Sequence, residues 1–384
     1  MHMRADGLTH RGGDVIQLRR WTYWLRRAGV QVTLTADERP NLTGYDLVHL
    51  NNAARASELW PTLAHCQAFG VPTVLTTLYW PDDDYEQRGR PGWLGRLFGL
   101  LPPMLRQRCK SLLRLARQPS QWRRRAAEVW HGTRHVTERM LTGVDMLLAV
   151  GRPEAEILRA WLPDQAIAIV PSGVDAIFCS DEIDLWADED DTPVPSADGF
   201  IRFPVFQRTG VLCVGRFDPQ KGQHRLIQAL RGLDVPITLV GPDNPNYPGY
   251  RNYCRKIAGR HVCFLPPQDQ LTLKLLYQTC KVHAQASWYE LSSLSALEAA
   301  ACGAAVVTTS QGCMRDYLGA HAQYVDPDDA PGLWRAVLAG LAEPVSMNLA
   351  QHVRDRYTWR HSTEQLLTAY EQVLALARFS RAAA

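Results

Sequence analysis

The stretch KVHAQASWYELSSLSALEAAACGAAVVTT, residues 281–309, decides the fold. It opens on a short apolar run (281–286) and passes through a polar loop. A helical pattern follows from Ser293 to Cys302, then Gly303 in the position that ends helices, then a second apolar run (304–309). Strand, helix and strand in so few residues make a parallel crossover unit. The same rhythm extends outward. GVLCVG (210–215), ITLVG (237–241) and HVCFL (261–265) read as further buried strands. A helix near Lys221 carries Leu226, Leu230 and Leu233 on one face, and another runs from Gln270 to Cys280. Continuous apolar strands alternating with helices predict a parallel sheet covered on both faces.

The first half repeats the pattern more faintly. A helix over 14–28 turns Val15, Leu18, Trp21 and Leu25 inward, and VQVTL (30–34), DLVHL (46–50), TVLTTL (73–78) and MLLAV (146–150) read as strands. The fold class is therefore α/β, with two Rossmann-like doubly wound domains facing a cleft and ligands at the carboxyl ends of their strands. The expected boundaries are 1–165, 166–360 and a C-terminal helix over 361–384 that packs back toward the N-terminal domain. Only Met3–Ala5 stand before the first glycines as a first strand. The acidic, Pro-containing segment 181–199 reads as a surface insertion near the junction.

The chain has 384 residues, 46% of them hydrophobic, enough for two cores, and its net charge of +3 calls for no polyanionic partner by itself. Nine cysteines stand singly, without metal-ligand spacing, which reads as a reduced chain with no metal site. The start lacks an apolar signal core, and no run reaches the roughly 18 apolar residues of a membrane helix. A cytoplasmic location is expected, peripheral to a membrane at most.

Two glutamates stand out in the opening stretch. Glu290 follows a strand end and Glu298 lies in the helix that begins there. Helix starts offer unpaired N–H groups to anions, whereas carboxylates suit hydroxyls. In VGRFDPQKG (214–222), Arg216 ends a strand and Lys221 opens the next helix, supplying positive charge. A bare Arg–Lys pair near a helix start is usually solvated. Set with the glutamates on successive units of one sheet, it points to phosphate plus sugar hydroxyls, which together describe a nucleotide sugar.

VLCVGRFDPQKGQHRLIQAL, ASWYELSSLSALEAAACGAAVVTT and YVDPDD resemble the nucleotide-sugar domain of the GT-B glycosyltransferases of family 4, a retaining group with two glutamates eight apart. VPSGVD (170–175) is similar to the loop joining the family's domains, and GGDVIQL and TTLYWPDDDY resemble its bacterial branch. The resemblance implies that Gly215, Arg216 and Lys221 meet the donor diphosphate. It implies that Glu290 meets the sugar hydroxyls, with the Leu291, Ser292, Ser293 and Leu294 segment beside it, and that Glu298 meets the ribose. Gly12 and Gly13 would let the N-terminal backbone approach the donor. Glu290, Arg216 and Lys221 carry the catalytic roles, and no metal or cofactor is required beyond a UDP- or GDP-sugar substrate.

The family usually follows its first glutamate with Gly-Phe-Gly, where this chain has Leu291-Ser292-Ser293. Many members place a histidine where this chain has Leu78-Tyr79-Trp80. Tyr79, Trp80, Asp82 and His131 are the candidates for the acceptor side; their ordinary readings are core packing and solvated loop.

Residues 88–139 hold 13 Lys/Arg against 2 acids. Arg106, Lys110, Arg114 and Arg117 recur at helical spacing beside an apolar stripe of Leu105, Cys109, Leu112 and Ala116. Such a face suits an anionic membrane surface, a nucleic acid, or plain solvation. The expected function is retaining transfer of a hexosyl-type sugar from the nucleotide sugar to a glycan or lipid-linked acceptor hydroxyl, in bacterial surface polysaccharide or glycolipid synthesis. A glycosyltransferase acting on modified nucleobases in DNA and a non-catalytic GT-B partner subunit are the alternatives.

Overall fold

A computed structural model describes residues 1–4, 7, 12–90, 99, 101–102, 105–106, 108–109, 112, 130, 132–180, 208–343 and 347–383. The acidic insertion and most of the basic segment lie outside them. The chain divides into two compact units, Met1–Ser172 with Trp359–Ala384, and Gly173–Thr358.

The first unit is built on a parallel sheet in the order β1 (Val48–Asn51), β2 (Thr73–Thr76), β3 (Met146–Ala149) and β4 (Ile167–Ile169). Every residue of β1, β2 and β3 is buried; β3 is an unbroken apolar run, while β1 and β2 also bury His49, Asn51, Thr73 and Thr76. The helix Gly13–Arg27 buries Val15, Leu18, Trp21 and Leu25.

Two expectations change at the sheet edge. The segment 30–34 forms no regular strand; a single parallel bridge, between His2 and Thr35, stands just beyond it. No regular strand precedes the helix Gly13–Arg27 among the described residues; Met1–Met3 join the sheet edge by one bridge at His2 and by main-chain hydrogen bonds, and Ala5 of the expected Met3–Ala5 strand lies outside the described residues. Met1 donates to Thr33 O, Thr35 N to Met1 O, and His2 N to His49 O. At this edge Gln31 and Thr33 are exposed, so only alternate residues have a core to face, and the pairing is short. The C-terminal helix Trp359–Ala383 lies in this unit. Trp21 Nε1 donates to Ser362 Oγ (2.7 Å), and His49 Nδ1 lies 2.6 Å from Tyr370 Oη.

The second unit holds six parallel strands in the order β10-β9-β8-β5-β6-β7. They are β5 (Thr209–Val214), β6 (Ile237–Val240), β7 (Val262–Leu265), β8 (Cys280–Ala284), β9 (Ala305–Thr309) and β10 (Gln323–Val325). Val211 of β5 pairs with Ile237 on one side and Val282 on the other. From β5 the chain steps outward through β6 and β7, then crosses back to β8 and proceeds to β9 and β10. The strand order reverses between β5 and β8, and the crevice above their carboxyl ends is where such sheets bind ligands. Gly303, with φ +83°, ends the helix Leu294–Ala301 in the left-handed conformation that glycine adopts without strain.

Candidate functional site

The switch point gathers the residues singled out on the two strands. After β5 the chain passes Gly215 and Arg216 into a single 3₁₀ turn, Pro219–Lys221, capped by Asp218, whose carboxylate accepts from Gln220 N (3.0 Å). Asp218 is buried and also accepts from Arg216 Nη2 (2.9 Å) and Asn244 Nδ2 (2.5 Å). Gln223 completes the frame: its Nε2 donates to Arg216 O (2.9 Å), and its Oε1 accepts from Asp218 N (3.3 Å). Arg216 is thereby fixed at backbone and head, with its side chain 49% exposed. Gly222 has φ +68°, and a Cβ there would lie 2.1 Å from Ala286 O. Only glycine lets this turn reach the end of β8.

Beyond β8, Glu290 is 4% exposed. Both of its carboxylate oxygens lie 2.8 Å from Lys221 Nζ, and Ser287 Oγ donates to Oε1 (2.6 Å). A buried carboxylate needs such partners, and this one has a full charge and a hydroxyl. Its backbone is clamped by the loop after β9: Glu290 N donates to Gln311 O (3.0 Å), and Cys313 N donates to Glu290 O (2.9 Å). Between those contacts sits Gly312 with φ +106°, where a Cβ would stand 2.0 Å from Glu290 O.

The next helix, Leu294–Ala301, starts at Ser293, whose hydroxyl accepts from Ala296 N (3.3 Å) and donates to Gln285 Oε1 (2.8 Å). The Ser293 amide donates to Met314 Sδ (3.2 Å), so this amide of the loop is engaged within the protein. Leu291, Ser292 and Leu294 are half-buried around it. Ser295 Oγ donates to Val214 O (3.0 Å), tying the helix start to β5. Glu298, one turn further along, is half-buried and accepts from Tyr277 Oη (2.8 Å). Lys221 and Glu290 are thus in direct contact, and Arg216 stands on the adjacent strand end. Sequence reading missed Asp218, Gln223, Asn244, Tyr277, Ser287 and Gly312. Asp218, Gln223 and Ser287 stood inside the quoted motifs; Asn244, Tyr277 and Gly312 have no local signal, because tertiary folding alone brings them here.

The remaining candidates lie in the first unit. Gly12 and Gly13 open the helix Gly13–Arg27, beside an Arg4–Asp14 ion pair (3.1 Å). Leu78 takes φ +46°, an uncommon conformation for a non-glycine residue, and turns the chain into Tyr79 and Trp80, both half-buried. Tyr79 packs on Trp161 (5.3 Å between ring centroids), while Asp82 is exposed. This turn is held by Glu154, a fully buried carboxyl that no sequence pattern flagged. It accepts from Thr77 Oγ1 (2.5 Å), Tyr79 N (2.6 Å) and Val150 N (2.7 Å). Burial pushes its pKa up to about 7, against the opposing pull of those three donors. His131, Lys110, Arg114 and Arg117 lie outside the described residues. Arg106 corrects the expected basic stripe: it is 3% exposed and lies 3.5 Å from Asp83, whereas Leu105 and Leu112 face outward. Helical spacing fixes which residues share a face but not which face is buried.

Residues 207–353 match the family profile described as Glycosyl transferases group 1. Over that stretch the chain is similar to the group 1 glycosyltransferases. A D-inositol 3-phosphate glycosyltransferase of Mycolicibacterium vanbaalenii is 35% identical to it over 193 residues, 43% of this chain and 41% of that protein. An uncharacterized glycosyltransferase of Methanocaldococcus jannaschii is 29% identical over 174 residues, 42% of this chain and 44% of that protein. The match thus spans less than half the length of these curated relatives. Among solved structures, sucrose-phosphate synthase from Thermosynechococcus elongatus aligns with a TM-score of 0.67 at 19% identity, covering 95% of this chain and 94% of that one. Anabaena HepE, solved with UDP and glucose, aligns with a TM-score of 0.64 at 13% identity, covering 96% and 98%. The two parallel-sheet units therefore form the GT-B fold. Among the described residues, no helix is long and apolar enough to cross a membrane.

Proposed function

We propose that this protein is a retaining glycosyltransferase that moves a sugar of the hexosyl type from a nucleotide sugar to an acceptor hydroxyl. The observation that carries the reading is the meeting of Arg216, Lys221 and Glu290 at the point where the strand order reverses. In this reading the donor diphosphate displaces the two carboxylates that hold Arg216 and Lys221. The cations then stabilise the charge that develops on the departing nucleoside diphosphate. With the start of the helix Leu294–Ala301 they supply the positive field that a metal ion gives in other phosphate sites, so the reaction is assigned as metal-independent. Glu290, released from Lys221, turns its acceptor oxygens to the sugar hydroxyls, and Glu298 holds the ribose. No side chain is assigned as a nucleophile. The incoming hydroxyl attacks from the face the leaving phosphate vacates, and that phosphate takes its proton, so configuration is retained.

The donor is a UDP- or GDP-sugar; the fold shared with a protein solved with UDP and glucose supports the uridine choice first. The acceptor side is assigned to the strand ends of the first unit around Tyr79, Trp80 and Asp82, and to a glycan or lipid-linked hydroxyl. The test is release of nucleoside diphosphate from a panel of UDP- and GDP-sugars, with the anomeric configuration of any product read by NMR. Turnover of one donor with retention is expected; an inverted product overturns the mechanism, and the absence of turnover with every donor overturns the activity.

A further inference from the structure

Two residues other than glycine take a positive φ among the described residues, Asn52 (79°) and Leu78 (46°). They follow the carboxyl ends of the neighbouring strands β1 and β2, where Asn52 N and Ala53 N extend the ladder to Thr76 O and Thr77 O before the chain turns away. Asparagine adopts this conformation readily, and Asn52 Oδ1 accepts from Ala54 N (3.2 Å) to support it. Leucine has no such help, and its Cβ crowds the following carbonyl. A conformation of this kind persists only where the surroundings fix it, and it collects at functional sites. Glu154 does the fixing. Its Oε1 accepts from Thr77 Oγ1 (2.5 Å) and from Tyr79 N (2.6 Å), one on each side of Leu78, and its Oε2 accepts from Val150 N (2.7 Å). A glutamate in the first turn of a helix commonly reaches back to cap it, and the Val150 contact is of that ordinary kind. The two contacts astride Leu78 are not: they cross from the helix Arg152–Trp161 to the end of β2, and capping does not call for them. The same helix holds Tyr79 a second time. Trp161, two turns beyond Glu154, packs on the Tyr79 ring at 5.3 Å between centroids, and the Arg134 guanidinium lies over the Trp161 ring at 5.5 Å. Tyr79 is thus fixed at main chain and ring from one helix, and Leu78 is left to absorb the backbone strain between them. Glu154 is fully buried, so it has no room to give way.

We propose that Glu154 is a positioning residue for the acceptor: by clamping both sides of Leu78 it keeps that residue left-handed, and so fixes where Tyr79 and Trp80 stand at the carboxyl end of β2. The inference rests on the reading of that strand end as the acceptor side. It goes further in assigning the shape of that face to a buried carboxyl that the acceptor does not touch.

The experiment reads the turn and the acceptor side separately. The turn is read by fluorine NMR of protein labelled with 5-fluorotryptophan, with the Trp80 resonance assigned by Trp80→Phe and the buried Trp21 as reference. The acceptor side is read by release of nucleoside diphosphate from the panel of UDP- and GDP-sugars, with methyl glucoside, methyl mannoside and methyl galactoside as hydroxyl probes. Glu154→Ala should move the Trp80 resonance and leave that of Trp21 in place. It should weaken use of the stimulating probe by roughly ten- to a hundredfold, as a displacement of about an ångström can, while nucleoside diphosphate affinity stays within about twofold. Thr77→Val leaves the carboxylate its two backbone donors; it should act in the same direction more weakly, and it decides the matter if Glu154→Ala does not fold. With Leu78→Gly, where the left-handed conformation carries no strain, loss of Glu154 should move the Trp80 resonance less. A Trp80 resonance that stays in place in the Glu154 and Thr77 variants, or that moves equally with glycine at position 78, overturns the inference and leaves the acceptor reading standing. A moved resonance with unchanged probe use assigns Glu154 to the fold alone and also overturns it. Absence of stimulation by every probe in the wild type, or stimulation that survives Tyr79→Ala and Trp80→Ala, overturns the acceptor reading and the inference with it, even where the spectra show that Glu154 holds the turn.

Discussion

Lys221 Nζ lies 2.8 Å from both carboxylate oxygens of Glu290, so the cation assigned to the donor phosphate and the carboxylate assigned to its sugar form one pair. Lys221 retains 28% exposure and Glu290 4%, so the pair sits at the rim of burial. Removing one partner strands the other, whereas removing both does not. Lys221→Met should therefore cost about 1–3 kcal/mol, less than for a fully buried pair. Adding Glu290→Gln should recover part of that cost. Urea denaturation of the two single variants and the double variant measures the coupling; strictly additive effects would show that the contact carries no energy.

Asp218 holds Arg216 as Glu290 holds Lys221, but from a carboxylate that the mechanism does not use. Asp218→Asn keeps an oxygen for Gln220 N and removes the competing charge. Nucleoside diphosphate binding is expected to tighten by roughly two- to tenfold at low salt and by less at high salt, because the attraction is screened. Titrations at two ionic strengths decide the matter. Weaker binding would mean that Asp218 serves mainly to orient the guanidinium.

Gly312 offers a test of the loop that clamps Glu290. A Cβ there would meet Glu290 O at 2.0 Å in a backbone with φ +106°, so Gly312→Ala must displace the main chain of the glutamate. A stability loss of about 1–3 kcal/mol is expected from the strained conformation. Donor turnover should fall much further than diphosphate affinity, since Arg216 stands on the other strand. Equal losses in both would place Gly312 in the phosphate site.

Much of the fold was legible because most strands are largely buried and dense in apolar and β-branched residues. β5 through β9 and the helix Gly13–Arg27 all stand within a few residues of expectation. β4 and β10 went unread as strands: each is three residues long and only partly buried, too short to show a pattern. The candidates Arg216, Lys221, Glu290 and Glu298 could be picked out because their charge stood out against apolar sequence, and the structure sets Lys221 against Glu290. The site was illegible where partners arrive from distant segments, as Asn244 does to Asp218 and Tyr277 to Glu298. Arg106 was misread for a related reason, because its partner Asp83 is 23 positions away and local spacing cannot show it.

Glu154 predicts a pH dependence. Its folded pKa of about 7 lies above the ordinary carboxyl value, so between roughly pH 4.5 and 7 the folded protein binds more protons than the unfolded chain. This group's contribution is full below that window and is lost as pH rises through it, by on the order of 3 kcal/mol at most. Glu154→Gln should flatten that slope. Urea midpoints of both proteins from pH 4 to 8 isolate the difference; parallel curves would mean that the carboxyl ionises normally.

The most direct test of the central claim is calorimetric titration of UDP and UMP, and of GDP and GMP, into the wild type and the Arg216→Ala/Lys221→Ala variant. Charge-assisted contacts are typically worth about 1.5–3 kcal/mol each, so the variant should bind the preferred diphosphate at least about a hundredfold more weakly. It should lose little affinity for the monophosphate and should still unfold cooperatively. Undiminished diphosphate binding in that variant would contradict a phosphate site at the ends of β5 and β8.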